Sequence, residues 1–227
     1  MTAHAGGAIP FPARRVDCMA QSTADGRAAR SRLRALRREL DAPTRSRAEA
    51  DICAALAGLG LFRRGAHLAF YLPMPGEVDL RPCLELARQR GVRVYVPRIT
   101  SHRKRRMLFV PWLAHGRRRT NAFGIIEPDS AAGARATVAL DAVVLPLVGF
   151  DRRGNRLGMG AGYYDRALRR RLDTARPWQR PRLVGVAFAC QELPAIPASP
   201  WDVPLDLVVT ERDIVVAARA AQRRTAP

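Results

Sequence analysis

A chain of 227 residues, 48% of them hydrophobic, is long enough to bury one sizeable core, which excludes a short motif peptide and a wholly disordered chain. No run of about 18 apolar residues occurs, so no transmembrane helix is predicted, and the first residues lack the basic-then-apolar order of a secretory signal. The net charge of +19, from 39 basic against 20 acidic residues, will attract polyanions, yet no RNP motif or C2H2 finger accompanies it.

Residues 1–25 read as a disordered extension, 26–218 as one α/β domain and 219–227 as a tail. Arg27 to Leu40 reads as a helix whose Leu33, Leu36 and Leu40 form one core-facing stripe. On that wheel Arg30, Arg34 and Arg37 share the adjoining face, the usual position of solvated arginines. Thr44 to Leu59 reads as a second helix, N-capped by Thr44 and ended by Gly58 and Gly60. His67 to Leu72, apolar along its length, predicts a central parallel strand. Pro73, Pro75 and Gly76 break it and leave Glu77 in the loop beyond its carboxyl end. A helix over Leu80 to Arg90 follows, then strands over Val92 to Val96 and Met107 to Trp112. Ala142 to Val148 and Leu183 to Ala189 read as further strands, and Asp165 to Leu172 as a helix between them.

Strands alternating with helices predict a three-layer, Rossmann-like α/β sandwich with a mostly parallel sheet. Ligands of such sheets collect beyond the strand carboxyl ends. Glu77, the segment from Arg156 to Asp165 and Asp202 all fall there. Cys18, Cys53, Cys83 and Cys190 are scattered, with no C-x-x-C pair and no nearby histidine. This spacing predicts reduced thiols in a cytoplasmic protein, with neither zinc site nor disulfide framework.

The segment Arg156-Leu157-Gly158-Met159-Gly160-Ala161-Gly162-Tyr163-Tyr164-Asp165 is the most informative of the chain. Strand, glycine-rich turn and helix together aim backbone N–H groups at an anion. Gly158, Gly160 and Gly162 let the backbone approach a ligand, with Arg156 and Asp165 supplying both signs of charge. The spacing is G-x-G-x-G, which is neither the Walker loop nor the dinucleotide fingerprint. A plain tight connection with Asp165 at the helix start is the bland alternative.

This segment, preceded by Pro146 and Phe150-Asp151, resembles the signature of the 5-formyltetrahydrofolate cyclo-ligase family, also called methenyltetrahydrofolate synthetase. Tyr71 to Asp79, Gly91 to Arg98, Phe123-Gly124-Ile125-Ile126-Glu127-Pro128 and Trp201-Asp202-Val203-Pro204-Leu205-Asp206 resemble further family segments in the same order, over about residues 27 to 216. The resemblance implies ATP-dependent closure of 5-formyltetrahydrofolate to 5,10-methenyltetrahydrofolate. Arg156 and Asp165 then become catalytic. ATP falls to Arg30, Arg34, Arg156, Gly158, Gly160, Gly162, Tyr163 and Tyr164, with Arg30 standing where the family has lysine. The folate falls to Leu72, Glu77, Phe123, Met159 and Tyr164, and Mg²⁺ to Asp165 and Asp202. The expected partners are ATP and a folate that can carry a polyglutamate tail. Nucleic acid would bind only non-specifically, no membrane is expected, and the protein is expected to be a cytoplasmic monomer. The competing expectation is a basic RNA-binding or ribosome-associated paralogue on the same fold, without folate activity.

Overall fold

The computed structural model describes residues 22–122, 124–172 and 180–217, with side chains from Gly26 onward. The calls for a disordered extension and a tail therefore fall largely outside the described residues, as do Cys18 and Phe123. The first helix, α1 (Ser22–Arg38), nevertheless begins inside the stretch read as extension. Helix α2 (Ala42–Gly58) starts earlier than its pattern suggested. Asp41, not Thr44, is its N-cap, its carboxylate accepting the Thr44 N–H at 2.7 Å.

Strands β1 (His67–Ala69), β2 (Arg93–Ser101), β3 (Arg106–Pro111), β6 (Ala142–Pro146), β9 (Arg182–Val186), β10 (Leu207–Val209) and β11 (Ile214–Val216) form one seven-stranded sheet. Short antiparallel pairs, β4 (Arg118–Thr120) with β5 (Ile126–Pro128) and β7 (Gly149–Phe150) with β8 (Arg156–Leu157), flank it. The sheet order is β11-β10-β9-β6-β1-β2-β3. Its inner five strands are parallel, and an antiparallel strand closes each edge. The mostly parallel sheet is as expected, but β10 and β11 were not read from the sequence, and the ends of the other elements differ. Strand β1 leaves the ladder after Ala69, although Phe70, Tyr71 and Leu72 stay buried up to Pro73. Strand β2 runs on to Ser101 because the hairpin partner β3 pairs it as far as Arg106.

Helix α3 (Arg81–Gln89) links β1 to β2 and packs with α2 on one sheet face, where Ile52, Leu56 and Leu84 meet Leu68, Val94 and Val144. Helix α4 (Tyr163–Leu168) covers the other face, where Leu168 meets Leu145, Leu183 and Val208. Successive residues of β6 point to opposite clusters, which is the period-two alternation of a sheet covered on both sides. The helix expected over Asp165 to Leu172 instead begins at Tyr163 and gives way to a 3-10 turn over Arg169–Leu172. Cys53 and Cys83, distant in sequence, meet where α2 packs on α3 and share a hydrogen bond as free thiols. Among the described residues no helix is long and apolar enough to cross a membrane.

Candidate active site

Strand order changes direction between β1 and β6, because β2 lies on one side of β1 and β6 on the other. Loops leaving the carboxyl ends of these strands diverge there and open a crevice. A cavity of about 1700 Å³ fills it, reaching from Leu72 and Glu77 after β1, past Leu147 after β6, to the glycine loop and the segment 193–204. Single-ligand sites span roughly 300–1,000 Å³, so this cavity has room for two substrates side by side.

The glycine loop forms one wall. A Cβ on Gly158 would meet nothing within 4 Å, so this backbone faces open cavity. Gly160 at φ +93° and Gly162 at φ +68° occupy the left-handed region, where other residues are strained. Helix α4 has only six residues, so its dipole contributes little. The loop N–H groups and the nearby arginines are therefore what this wall offers an anion. Arg30 donates from Nε to the Gly158 carbonyl at 2.8 Å, holding its guanidinium over Gly160. Arg34 reaches the Met159 sulfur at 3.1 Å, while its buried Nε has no hydrogen-bond partner. Both arginines also line a second, basic hollow with Arg27, Ser31 and Arg38. Met159 is exposed and Tyr163, half-buried, holds His102 Nδ1 at 3.3 Å; both line the main cavity.

The carboxylates stand at the loop's far end. Asp165 accepts from Arg156 Nη2 and from the Val203 N–H, and the other amino group of Arg156 donates to the Val203 carbonyl. Arg156 is thus a clamp between the glycine loop and the C-terminal segment, and its charge is already engaged by Asp165. Asp202 accepts the Ser199 N–H at 2.8 Å through one oxygen. Asp165 Oδ2 and Asp202 Oδ1 have no protein donor among the described residues, and both side chains line the cavity. Among the described residues no group of three or more His, Cys, Asp or Glu gathers. Two free carboxylate oxygens suit Mg²⁺, which takes one or two carboxylates and completes its shell from phosphates and water. Asp206 does not compete for this role, because Arg171 and the Leu183 N–H engage its two oxygens.

The opposite wall carries Leu72, Tyr164 and Glu77. Glu77 is 9% exposed, and its Oε2 accepts the Met74 N–H at 3.0 Å. Burial pushes its carboxyl above the usual value, against the Met74 bond and the charges of Arg37 and Arg34, which pull it down. Burial likewise raises the Tyr164 phenol, aided by Glu77, so it stays a neutral donor. Its ring lies 6.5 Å from that of Phe109.

Sequence reasoning missed several parts of this site. Arg37, given no role in the site and expected on a solvated face, is 5% exposed. It lies at i+7 from Arg30, and helical spacing alone does not reveal that the turn before Glu77 folds over it. Asp151 is fully buried and accepts the N–H groups of Arg153, Asn155 and Ile196, tying the glycine-loop stem to the segment 193–204. Its place just after an apolar strand was the available signal. Glu127, 1% exposed, anchors β5 through Arg119, Asn121 and the Ile99 N–H.

An α/β protein with a large cavity beyond the carboxyl ends of its parallel strands, walled by a glycine loop and arginines, is the class that this fold defines. Residues 22–211 match the 5-formyltetrahydrofolate cyclo-ligase family. A 5-formyltetrahydrofolate cyclo-ligase of Haemophilus influenzae is 33% identical over 184 residues, covering 79% of this chain and 95% of that one. That of Escherichia coli K12 is 36% identical over 149 residues, covering 64% and 78%. Among solved structures, the 5,10-methenyltetrahydrofolate synthetase of Aquifex aeolicus superposes with a TM-score of 0.72 at 28% identity, covering 85% of this chain and 93% of that one. The Mycoplasma pneumoniae synthetase does so with 0.63 at 25% identity, covering 82% and 99%. The chain belongs to the 5-formyltetrahydrofolate cyclo-ligase family and is a ligase.

Proposed function

We propose that this enzyme uses ATP to convert 5-formyltetrahydrofolate to 5,10-methenyltetrahydrofolate, releasing ADP and phosphate. One observation carries the reading: a single cavity sized for two ligands has a glycine loop and arginines on one wall and a buried acceptor, Glu77, on the other. The chemical difficulty is the N5-formyl group, an amide-like carbonyl that is a poor electrophile with a poor leaving group. Its oxygen attacks the γ-phosphorus and ADP leaves. N10 then adds to the activated carbon, loses its proton and expels phosphate, closing the ring. Such a reaction needs positioning and charge neutralisation more than covalent help from the protein.

Arg30, Arg34 and the N–H groups around Gly158, Gly160 and Gly162 bind the phosphates. Arg156 holds Asp165 in place from behind. Asp165 and Asp202 would hold Mg²⁺, which neutralises phosphate charge when bound. Glu77 accepts hydrogen bonds from the pterin edge, and Leu72, Met159 and Tyr164 line its bed. Tyr163, tied to His102, closes the cavity between the two substrates. The folate's tail carboxylates, one or several, meet the basic surface. The reading also makes this a cytoplasmic monomer of 25.0 kDa, with nucleic acid bound only non-specifically. The test is to mix protein, 5-formyltetrahydrofolate and Mg-ATP and follow the methenyl absorbance band. The band should grow with ADP released in equal amount; no band at any ATP concentration refutes the reading.

A further inference from the structure

Arg37 is the least explained charge in the molecule. It is 5% exposed, yet among the described residues no carboxylate lies within ion-pair distance of it and its Nε has no hydrogen-bond partner. A buried guanidinium left this way is costly unless a nearby negative charge offsets it. Arg37 does not line the cavity, whereas Glu77 does. Its guanidinium lies under the turn from Met74 to Glu77: a Cβ built on Gly76 would sit 3.9 Å from Arg37 Nη2. That turn is closed twice, by the Glu77 N–H on the Met74 carbonyl and by the Met74 N–H on the Glu77 carboxylate. The backbone of Arg37 is held from α2, since Arg45 donates to its carbonyl.

We propose that Arg37 is a positioning residue for Glu77: buried against the Met74–Glu77 turn, it supplies the positive charge opposite which Glu77 presents its carboxylate to the cavity as a hydrogen-bond acceptor. The proposal rests on Glu77 being the folate's acceptor. The surrounding charges agree with it. From α1, Arg34 and Arg37 both favour ionised Glu77. From α2, Arg45 faces Arg37, and Glu49 is held by the Asp79 N–H. Tyr71, which donates to the Val78 carbonyl, and Tyr164 from α4 face Glu77 as neutral phenols. Burial alone would leave Glu77 protonated over more of the acid range, and a protonated acid offers a donor where an acceptor is needed. Arg37 opposes that without occupying space that the substrate needs.

The test starts with ligand-free protein carrying ¹³C-labelled glutamate, with the Glu77 carboxyl signal assigned through Glu77→Gln. In Arg37→Met its titration midpoint should rise by about one pH unit or more, the size expected for loss of a close opposite charge. Arg37→Lys should restore most of the shift. The acid limb of kcat/KM for 5-formyltetrahydrofolate should move by the same amount, and Arg37→Met should regain activity as the pH rises past it. Arg37→Gln carries the same test should the Met variant not fold. A midpoint that stays put in the ligand-free protein overturns the coupling, whatever the activity does. A midpoint that moves while the acid limb stays put overturns Glu77 as the folate's acceptor instead.

Discussion

The two ends of the phosphate wall are built on opposite plans. Around Asp165 the arginine is matched: Arg156 is clamped by a carboxylate and a carbonyl, and Asp165 also takes the Val203 N–H, leaving its Oδ2 open to the cavity. Along α1 only Arg30 is so matched, through the Gly158 carbonyl, because the buried Nε atoms of Arg34 and Arg37 have no partner. A satisfied buried network is stiff and keeps one geometry, whereas an unsatisfied buried donor is a standing cost that something else must relieve. The matched end therefore fixes Asp165 against the C-terminal segment that carries Asp202. On the proposed reading, the unmatched end supplies attraction, for phosphate at Arg34 and for the Glu77 carboxylate at Arg37.

Asp165→Asn attacks the frame and should have the largest effect. It keeps the shape but loses the charge that pairs with Arg156 and that, on the proposed reading, would hold Mg²⁺. We expect turnover to fall by about 10²–10³-fold, the loss typical of a transition-state charge contact. Thermal melting should shift by only a few degrees. Wild-type turnover at limiting Mg²⁺ would remove Asp165 from the metal site.

Gly160→Val should come next. A β-branched residue at φ +93° is strained by about 1–2 kcal/mol and would crowd Arg30, whose guanidinium atoms lie 4.0 Å from such a Cβ. ATP affinity, measured by calorimetry, should fall more than the strain alone explains. If affinity survives, the loop is a structural connection only.

Arg34→Ala probes the unmatched end. A charge-assisted phosphate contact contributes about 1.5–3 kcal/mol, which corresponds to an ATP KM raised roughly ten- to a hundredfold. Arg47→Ala, on the exposed part of α2, should change KM by less than about threefold. Equal, small effects at both positions would reduce the α1 arginines to a solvated face.

Salt should have the smallest effect on turnover. Screening over about 8 Å at physiological ionic strength weakens long-range attraction by the +19 charge but leaves short contacts largely intact. RNA binding, being sequence-indifferent, should fall steeply over the same range. Tight, salt-resistant RNA binding without methenyl product would favour the RNA-binding paralogue instead.

Much of this molecule was readable from periodicity and punctuation. Apolar runs marked the parallel strands, prolines and Gly76 put Glu77 past the end of β1, and the three glycines marked the loop that walls the cavity. Such features are local, because backbone preference and two- or 3.6-residue repeats act over a few residues. The same locality explains the misplaced ends. Asp41 outcompeted Thr44 as a cap, β2 lengthened because β3 paired with it, and α4 was cut to six residues. The meeting of Cys53 with Cys83 was invisible for a related reason, since it depends on how α2 lies on α3.

By itself, then, the sequence determined the α/β class, the alternation of the main strands and helices and the chemical character of the loops, all consequences of short-range patterning, while the short strands β4, β5, β7, β8, β10 and β11 went unread. Which charges pair, which are buried and which stay unmatched was decided only by tertiary structure. Arg30, Arg34 and Arg37 are equivalent on a helical wheel, yet one rests on Gly158, one on Met159 and one is buried beside Gly76. Desolvation and Coulomb energy depend on distance and burial in three dimensions, and no spacing along the chain encodes them.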